Sequence, residues 1–204
     1  MSIIKIALTG GIASGKTEVS KILADLGIDI IDMDILAKEV VKPNSRALKE
    51  LVLEFGKDIL AKDGNLKRDK LKSILFNNKD AKNKIEKIIH PRIISAMNSK
   101  IKQLKKELVI VVVPLLIEKN LSYLFDKVIV VLCDLDTQIA RLIRRDNITK
   151  KAAEKILFQQ SNNSQRFDLL KKMPGFLINN NKDIKHLKDD VAMLYKKLRL
   201  MKNI

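Results

Sequence analysis

The sequence predicts an α/β fold: a parallel sheet covered by helices on both faces, with a long helical insertion and a helical lid. Three observations predict it. A short apolar run, "SIIKIAL", leads through a glycine-rich loop directly into a helical pattern. Four more strand-like runs follow, separated by helical patterns, as expected of parallel strands joined by crossovers. The interval between the second and third strands is far longer than one crossover helix requires, so it reads as a helical lobe set into the core.

The first strand ends in Gly10-Gly11-Ile12-Ala13-Ser14-Gly15-Lys16-Thr17, which fits G-x-x-x-x-G-K-[ST]. A loop that opens a helix presents unpaired backbone N–H groups at the positive end of the helix dipole, and these bind phosphate. Gly11, Ile12, Ala13, Ser14 and Gly15 are therefore the candidate phosphate cradle. Lys16 would reach the β- and γ-phosphates, and the Thr17 hydroxyl would ligate Mg²⁺. Beyond it, Val19, Ile22, Leu23 and Leu26 recur at helical spacing, and Gly27 closes the helix.

"IDIID" (28–32) is the second strand, and Asp32 and Asp34 stand where it gives way to a helix. Ligands of open α/β sheets bind outside the carboxyl ends of the strands. Either carboxylate could accept a proton from a substrate hydroxyl or orient Mg²⁺ through water. Asp34 could instead cap a helix beginning at Ile35. Helical stretches at 65–76 and 78–107 fill the insertion, and His90 within them has no local triad partner, which suits a structural or substrate-wall residue.

"LVIVVV" (108–113) is the third strand, stopped by Pro114. Leu115, Leu116 and Glu118 follow it and could touch a substrate or form a packed β–α corner. "KVIVVLC" (127–133) is the fourth strand, and Cys133 at its end reads as a buried structural thiol. Residues 136–167 read as a helix, a turn at Asn147 and a second helix capped by Thr149, a basic pair suited to covering phosphates. Arg141 and Arg145 lie four apart and share a face able to clamp phosphate oxygens, whereas Arg144 points elsewhere. Arg166 is a secondary candidate of the same kind. "GFLIN" (175–179) and an amphipathic terminal helix complete the core. One domain of 204 residues thus comprises a nucleotide-binding core (1–34, 108–135 and 174–204), a substrate-binding insertion (35–107) and a lid (136–173).

Composition narrows the function classes. The longest apolar stretch, residues 108–117, is too short to span a bilayer and contains Pro114, so no membrane role is expected. The N-terminus enters the first strand at once, leaving no room for a secretory signal, and a single cysteine suits a reducing cytoplasm. The net charge of +16 raises the question of nucleic acid, yet only eight of the 40 basic residues are arginine and aromatics make up 4%. A lysine-rich solvated surface accounts for that charge, with no specific nucleic-acid partner. A guanine-nucleotide switch would show an N-K-x-D stretch, and none occurs.

Taken in order, these segments resemble the dephospho-coenzyme A kinase family. "ALTGGIASGKT" is similar to that family's loop, "IDMD" with "ILAKEVV" to its acidic motif, and "IHPRI" to a motif of its helical insertion. "VVPLLIE", "FDKVIVVLCDLDTQIARLIRRD" and "AEKILFQQ" resemble its third-strand, fourth-strand and lid segments, so the likeness spans about residues 3–181. The resemblance implies a P-loop kinase core that uses ATP and Mg²⁺ to phosphorylate the ribose 3′-hydroxyl of dephospho-coenzyme A. The runner-up is another small P-loop kinase acting on a nucleoside monophosphate or small alcohol. By resemblance, Asp34 is the catalytic base, Lys16 the phosphate clamp and Arg141 the lid arginine, with Leu115, Leu116 and Glu118 beside the acceptor. Monomeric or weakly self-associating behaviour in the cytoplasm is expected. Four departures stand out: Ala13 where glycine is common, Glu18 after the magnesium-binding threonine, Asn163 at an often basic position, and "INNN" (178–181) where aspartate usually precedes asparagine.

Overall fold

The computed structural model describes residues 3–77 and 79–201. Five strands form one parallel sheet: β1 (Ile4–Gly10), β2 (Asp29–Asp32), β3 (Leu108–Val112), β4 (Lys127–Leu132) and β5 (Gly175–Asn179), in the order β2-β3-β1-β4-β5. All five residues of β3 are buried, the continuous apolar run of a strand covered on both faces. Leu8 opposes Val112 on one side and Ile129 on the other, which sets the register of the three inner strands. Because every neighbour is parallel, all carboxyl ends lie on one edge.

The chain divides into two units, one comprising Met1–Asp32 with Leu104–Ile204 and the other Met33–Gln103. In the first, α1 (Lys16–Asp25) buries Val19 and Leu23, and α9 (Ile184–Met201) buries Leu187, Val191, Leu194 and Leu198. These share a core with Ile6, Leu8, Ile110 and Ile129 of the sheet. Alternation along the strands turns Ala7, Val109, Val111 and Val130 to the opposite face, and all four are buried too. Each fully buried aliphatic side chain of this kind contributes about 1.5–3 kcal/mol. The end of α1 follows from Gly27 at φ +91°. Its N–H donates to the Ala24 carbonyl (2.8 Å) and the Ile28 N–H to the Leu23 carbonyl (3.0 Å), the paired bonds of a Schellman stop.

The segment between β4 and β5 holds three helices, not two: α6 (Leu135–Asp146), α7 (Lys150–Leu157) and α8 (Asn163–Lys172). Asn147 ends α6 in the left-handed conformation, and the Thr149 hydroxyl accepts the Ala152 N–H at the start of α7. The third helix begins at a capping box. Asn162 Oδ1 accepts the Gln165 N–H, while Gln165 Oε1 accepts the Asn162 N–H (2.9 Å each).

Among the described residues, the regular structure of the second unit is helical apart from a short bridge between Leu60 and Leu66. It contains α2 (Met33–Glu39), α3 (Arg46–Phe55), α4 (Arg68–Asn77) and α5 (Lys79–Lys102) around Val41, Ala47, Leu51, Ile59, Leu71 and Ile85. The Arg92–Glu50 and Lys100–Glu39 pairs tie α5 to α3 and α2. Pro91 lies inside α5, where it removes one helical N–H donor. The helical lobe is thus a separate packing unit rather than an excursion of the sheet.

Candidate active site

The site is built on the carboxyl edge of the sheet. After Gly10 the chain turns through residues 11–15 and enters α1 at Lys16. Gly15 stands at φ +100° and Ala13 at φ +57°, so the loop holds two left-handed residues, one of which carries a Cβ. A methyl on a left-handed residue costs about 1–2 kcal/mol. The surroundings hold Ala13 there: with Ile12 it packs on a small core of Ile139, Leu142 and Ala153.

Side chains from distant segments hold the loop. Gln138 Nε2 donates to the Ile12 carbonyl (2.7 Å), and the Ile12 N–H donates to Gln160 Oε1 (2.8 Å). Asn180, buried just past β5, donates to the Ser14 carbonyl (2.8 Å). Lys16 Nζ folds across the loop and donates to the carbonyls of Gly10 (2.9 Å) and Gly11 (2.8 Å). The Ser14 hydroxyl is buried and, among the described residues, has no hydrogen-bond partner. A buried donor is costly to leave unpaired, so a loop that retains one is suited to a polar ligand.

Beside the loop lies a cavity of about 480 Å³ whose lining includes Gly11, Gln138, Gln160, Asn163 and Arg166. The Glu118 carboxylate accepts the Ser161 N–H (2.8 Å). Burial pushes the Glu118 pKa up, but hydrogen bonds from Ser161 and its own backbone, with the Arg166 charge, bring it below the ordinary value. Burial lowers the Arg166 pKa and Glu118 opposes that shift, and a guanidinium stays charged at neutral pH in any case. Asn163 donates to the Cys133 carbonyl (2.9 Å), tying the start of α8 to the end of β4.

The remaining candidates take up varied positions. Thr17 is exposed in the first turn of α1. Asp32 is half-buried as the last residue of β2, two strands from the loop, or about 9–10 Å across the sheet. Asp34 is exposed in the first turn of α2; the helix starts at Met33, so Asp34 is not a cap before Ile35. Leu115 is 39% exposed, whereas Leu116 is fully buried and shapes that corner from within. His90 is half-buried within α5.

Arg141 and Arg145 share a helix but not a partner. Arg141 Nη1 approaches Cys133 Sγ (3.5 Å), while Arg145 makes a fork with its neighbour Asp146 (2.7 and 2.9 Å) at the surface. A carboxylate one residue away satisfies the Arg145 fork locally, which spacing along one helix face does not reveal. Burial raises the Cys133 pKa despite the Arg141 charge, which keeps the thiol an inert packing group.

The residues that sequence reasoning passed over are Gln138, Gln160 and Asn180, the three amides that grip the loop. Nothing in their local sequence marks them, because their role depends on chain segments more than a hundred residues away. Arg166 is different: the N-x-x-Q box at 162–165 signals a helix start, and with it the direction of the next side chain.

Comparison with known proteins agrees with this architecture. The dephospho-CoA kinase family model matches residues 4–186. A dephospho-CoA kinase of Photobacterium profundum is 39% identical over 199 residues, covering 98% of each chain. One of Fusobacterium nucleatum is 42% identical over 188 residues, covering 92% of this chain and 94% of its own. A solved dephospho-CoA kinase from Campylobacter jejuni superposes with a TM-score of 0.66 at 27% identity, covering 95% of this chain and 96% of its own. With a phosphate loop at the head of a parallel sheet and a family match over nearly its whole length, the chain belongs to the dephospho-CoA kinase family.

Proposed function

We propose that this chain transfers the γ-phosphoryl group of ATP to the ribose 3′-hydroxyl of dephospho-coenzyme A, giving coenzyme A and ADP in the last step of coenzyme A synthesis. The observation that carries the reading is the phosphate loop between β1 and α1, in a chain that matches the family model over residues 4–186. In the reaction the bond from the γ-phosphorus to the β–γ bridging oxygen breaks. A bond to the 3′-oxygen forms, and the hydroxyl proton goes to a carboxylate.

The protein's part is positioning and charge stabilisation. The amides of Gly11, Ile12, Ala13, Ser14 and Gly15 cradle the phosphates, with Gln160 yielding the Ile12 N–H. Lys16 swings from the Gly10 and Gly11 carbonyls to the β- and γ-phosphates. Asp34 receives the acceptor proton, and Arg141 and Arg145 stabilise the transferring group from the lid, Arg145 after releasing Asp146. Leu115 and Glu118 contact the acceptor with Leu116 packed behind them, and His90 is a further acceptor contact. The core at 1–34, 108–135 and 174–204 binds nucleotide, 35–107 binds the acceptor and 136–173 is the lid that covers the nucleotide phosphates.

Thr17 and Asp32 offer the hard oxygen donors that magnesium takes. Among the described residues no cluster of three or more His, Cys, Asp or Glu gathers, which fits a metal that draws further ligands from phosphate and water. Thr17, with Asp32 through water, would hold Mg²⁺, and the ion would neutralise charge on the β- and γ-oxygens. No described helix is long and apolar enough to cross a membrane. The single cysteine suits work in the cytoplasm, as a monomer or weak homo-oligomer without a specific nucleic-acid partner.

The test is a coupled ADP-release assay with dephospho-coenzyme A, AMP, CMP and shikimate as competing acceptors. Turnover confined to dephospho-coenzyme A is expected; faster turnover of any other acceptor overturns the reading.

A further inference from the structure

One charged side chain in the nucleotide-binding unit is buried without a protein partner to account for it. Arg166 is only 4% exposed, although it sits in the first half of the lid helix α8. Among the described residues its guanidinium has no hydrogen-bond or ion-pair partner, and Glu118 acts on it only through the field of its charge. It is aimed at the phosphate loop: Nη1 lies 3.3 Å from where a Cβ on Gly11 would stand, at the wall of the 480 Å³ cavity. Burying a guanidinium opposes folding unless its donors find acceptors. Packing does not explain it, since an aliphatic residue would fill the space without desolvating a charge.

We propose that Arg166 contacts the transferred phosphoryl group of the nucleoside triphosphate, and that Glu118 is the residue that positions it. The planar fork supplies several donors to phosphate oxygens at a place water reaches poorly. Three constraints aim it. Glu118 accepts the Ser161 N–H, which pins the chain just before α8. The Asn162–Gln165 box fixes the first turn, and Asn163 ties that turn to the Cys133 carbonyl. Arg166 is the next residue along, so its direction is set before any nucleotide arrives. Glu118 thereby acts through Arg166, not through the acceptor alone, and couples the corner after β3 to the lid. This assignment rests on the phosphotransfer reading above and names a residue of that same site.

The experiment compares wild type with Arg166→Ala, Arg166→Lys, Glu118→Gln and, as a surface control, Arg144→Ala. Calorimetric titration measures ATP and ADP affinity separately, and steady-state turnover is read with dephospho-coenzyme A. Removing a donor to the transition-state charge lowers turnover on the order of 10²–10³-fold, so Arg166→Ala should fall in that range. ATP affinity should drop about tenfold or more with ADP changed less than about twofold, because the lost bonds to charged oxygens are those on the γ-phosphate. Added guanidinium ion should restore part of the Arg166→Ala turnover and do nothing for Glu118→Gln, which keeps its arginine. Glu118→Gln should lower kcat about tenfold while leaving ADP affinity intact.

Arg166→Lys decides the matter if the alanine variant fails to fold, since it retains the charge and loses the fork. A folded Arg166→Lys enzyme with turnover within about threefold of wild type overturns the proposal. So does equal weakening of ATP and ADP in either variant. If wild type turns over some other acceptor, the substrate reading fails by itself, and the ATP-against-ADP difference still reads out the role of Arg166.

Discussion

Replacing Gly15 with alanine isolates how the loop is held to the sheet. Gly15 has φ +100°, and a Cβ built there falls 2.0 Å from Asn180 Nδ2. The buried Asn180 amide must then swing away and give up its 2.8 Å bond to the Ser14 carbonyl. Two costs add: about 1–2 kcal/mol for a left-handed alanine, and about 1–3 kcal/mol for a buried carbonyl left unpaired. The total is about 2–5 kcal/mol. With a urea m-value of about 2 kcal/mol/M, the unfolding midpoint followed by far-ultraviolet circular dichroism should fall by about 1–2.5 M. Asn180→Ala removes the same bond, so in the double variant the alanine at position 15 should add only its backbone cost. The two changes then couple by about 1–3 kcal/mol. A midpoint unchanged in Gly15→Ala, or strict additivity with Asn180→Ala, refutes the clamp.

Lys16→Ala should abolish most ATP turnover while leaving the unfolding free energy within about 0.5 kcal/mol of wild type, because a half-exposed loop lysine contributes little to packing; near-normal turnover removes the loop from the mechanism. Asp34→Asn should slow single-turnover chemistry about 10²–10⁴-fold with ATP affinity little changed, and a slow Asp32→Asn beside a fast Asp34→Asn would reverse the two roles. Folding depresses the Glu118 pKa, so its stabilising contribution is full above the ordinary glutamate value and is lost as pH falls through the folded one. Between neutral pH and about pH 3, Glu118→Gln should therefore lose less stability than wild type, and parallel losses in urea midpoint would remove Glu118 from the balance.

Much of the architecture was legible in the chain because it is written in local chemistry. The short, β-branched apolar run at 108–113 suits an inner parallel strand buried on both faces, and β3 is that strand. Gly27 admits the left-handed turn that stops α1, and Thr149 caps α7 with its own hydroxyl. The G-x-x-x-x-G-K-T spacing, followed in order by the acidic, "IHPRI" and "PLLIE" segments, was enough to indicate the family that the comparisons show.

What the tertiary structure alone decided is which polar groups meet. Gln138, Gln160 and Asn180 reach the loop from segments more than a hundred residues away, and no periodicity records a contact at that separation. Helical spacing grouped Arg145 with Arg141, yet the adjacent Asp146 claims the Arg145 guanidinium at the surface. Spacing also left Arg166 outside the main pair, yet the packing of α8 against β4 buries it beside Gly11. Leu115 and Leu116 are the same residue type side by side, and only the fold turns one outward and encloses the other. Local sequence sets backbone preference and the apolar period, whereas the burial of a charge and its distance from a loop depend on the sum of packing across the sheet. Those sums exist only once the chain has closed on itself.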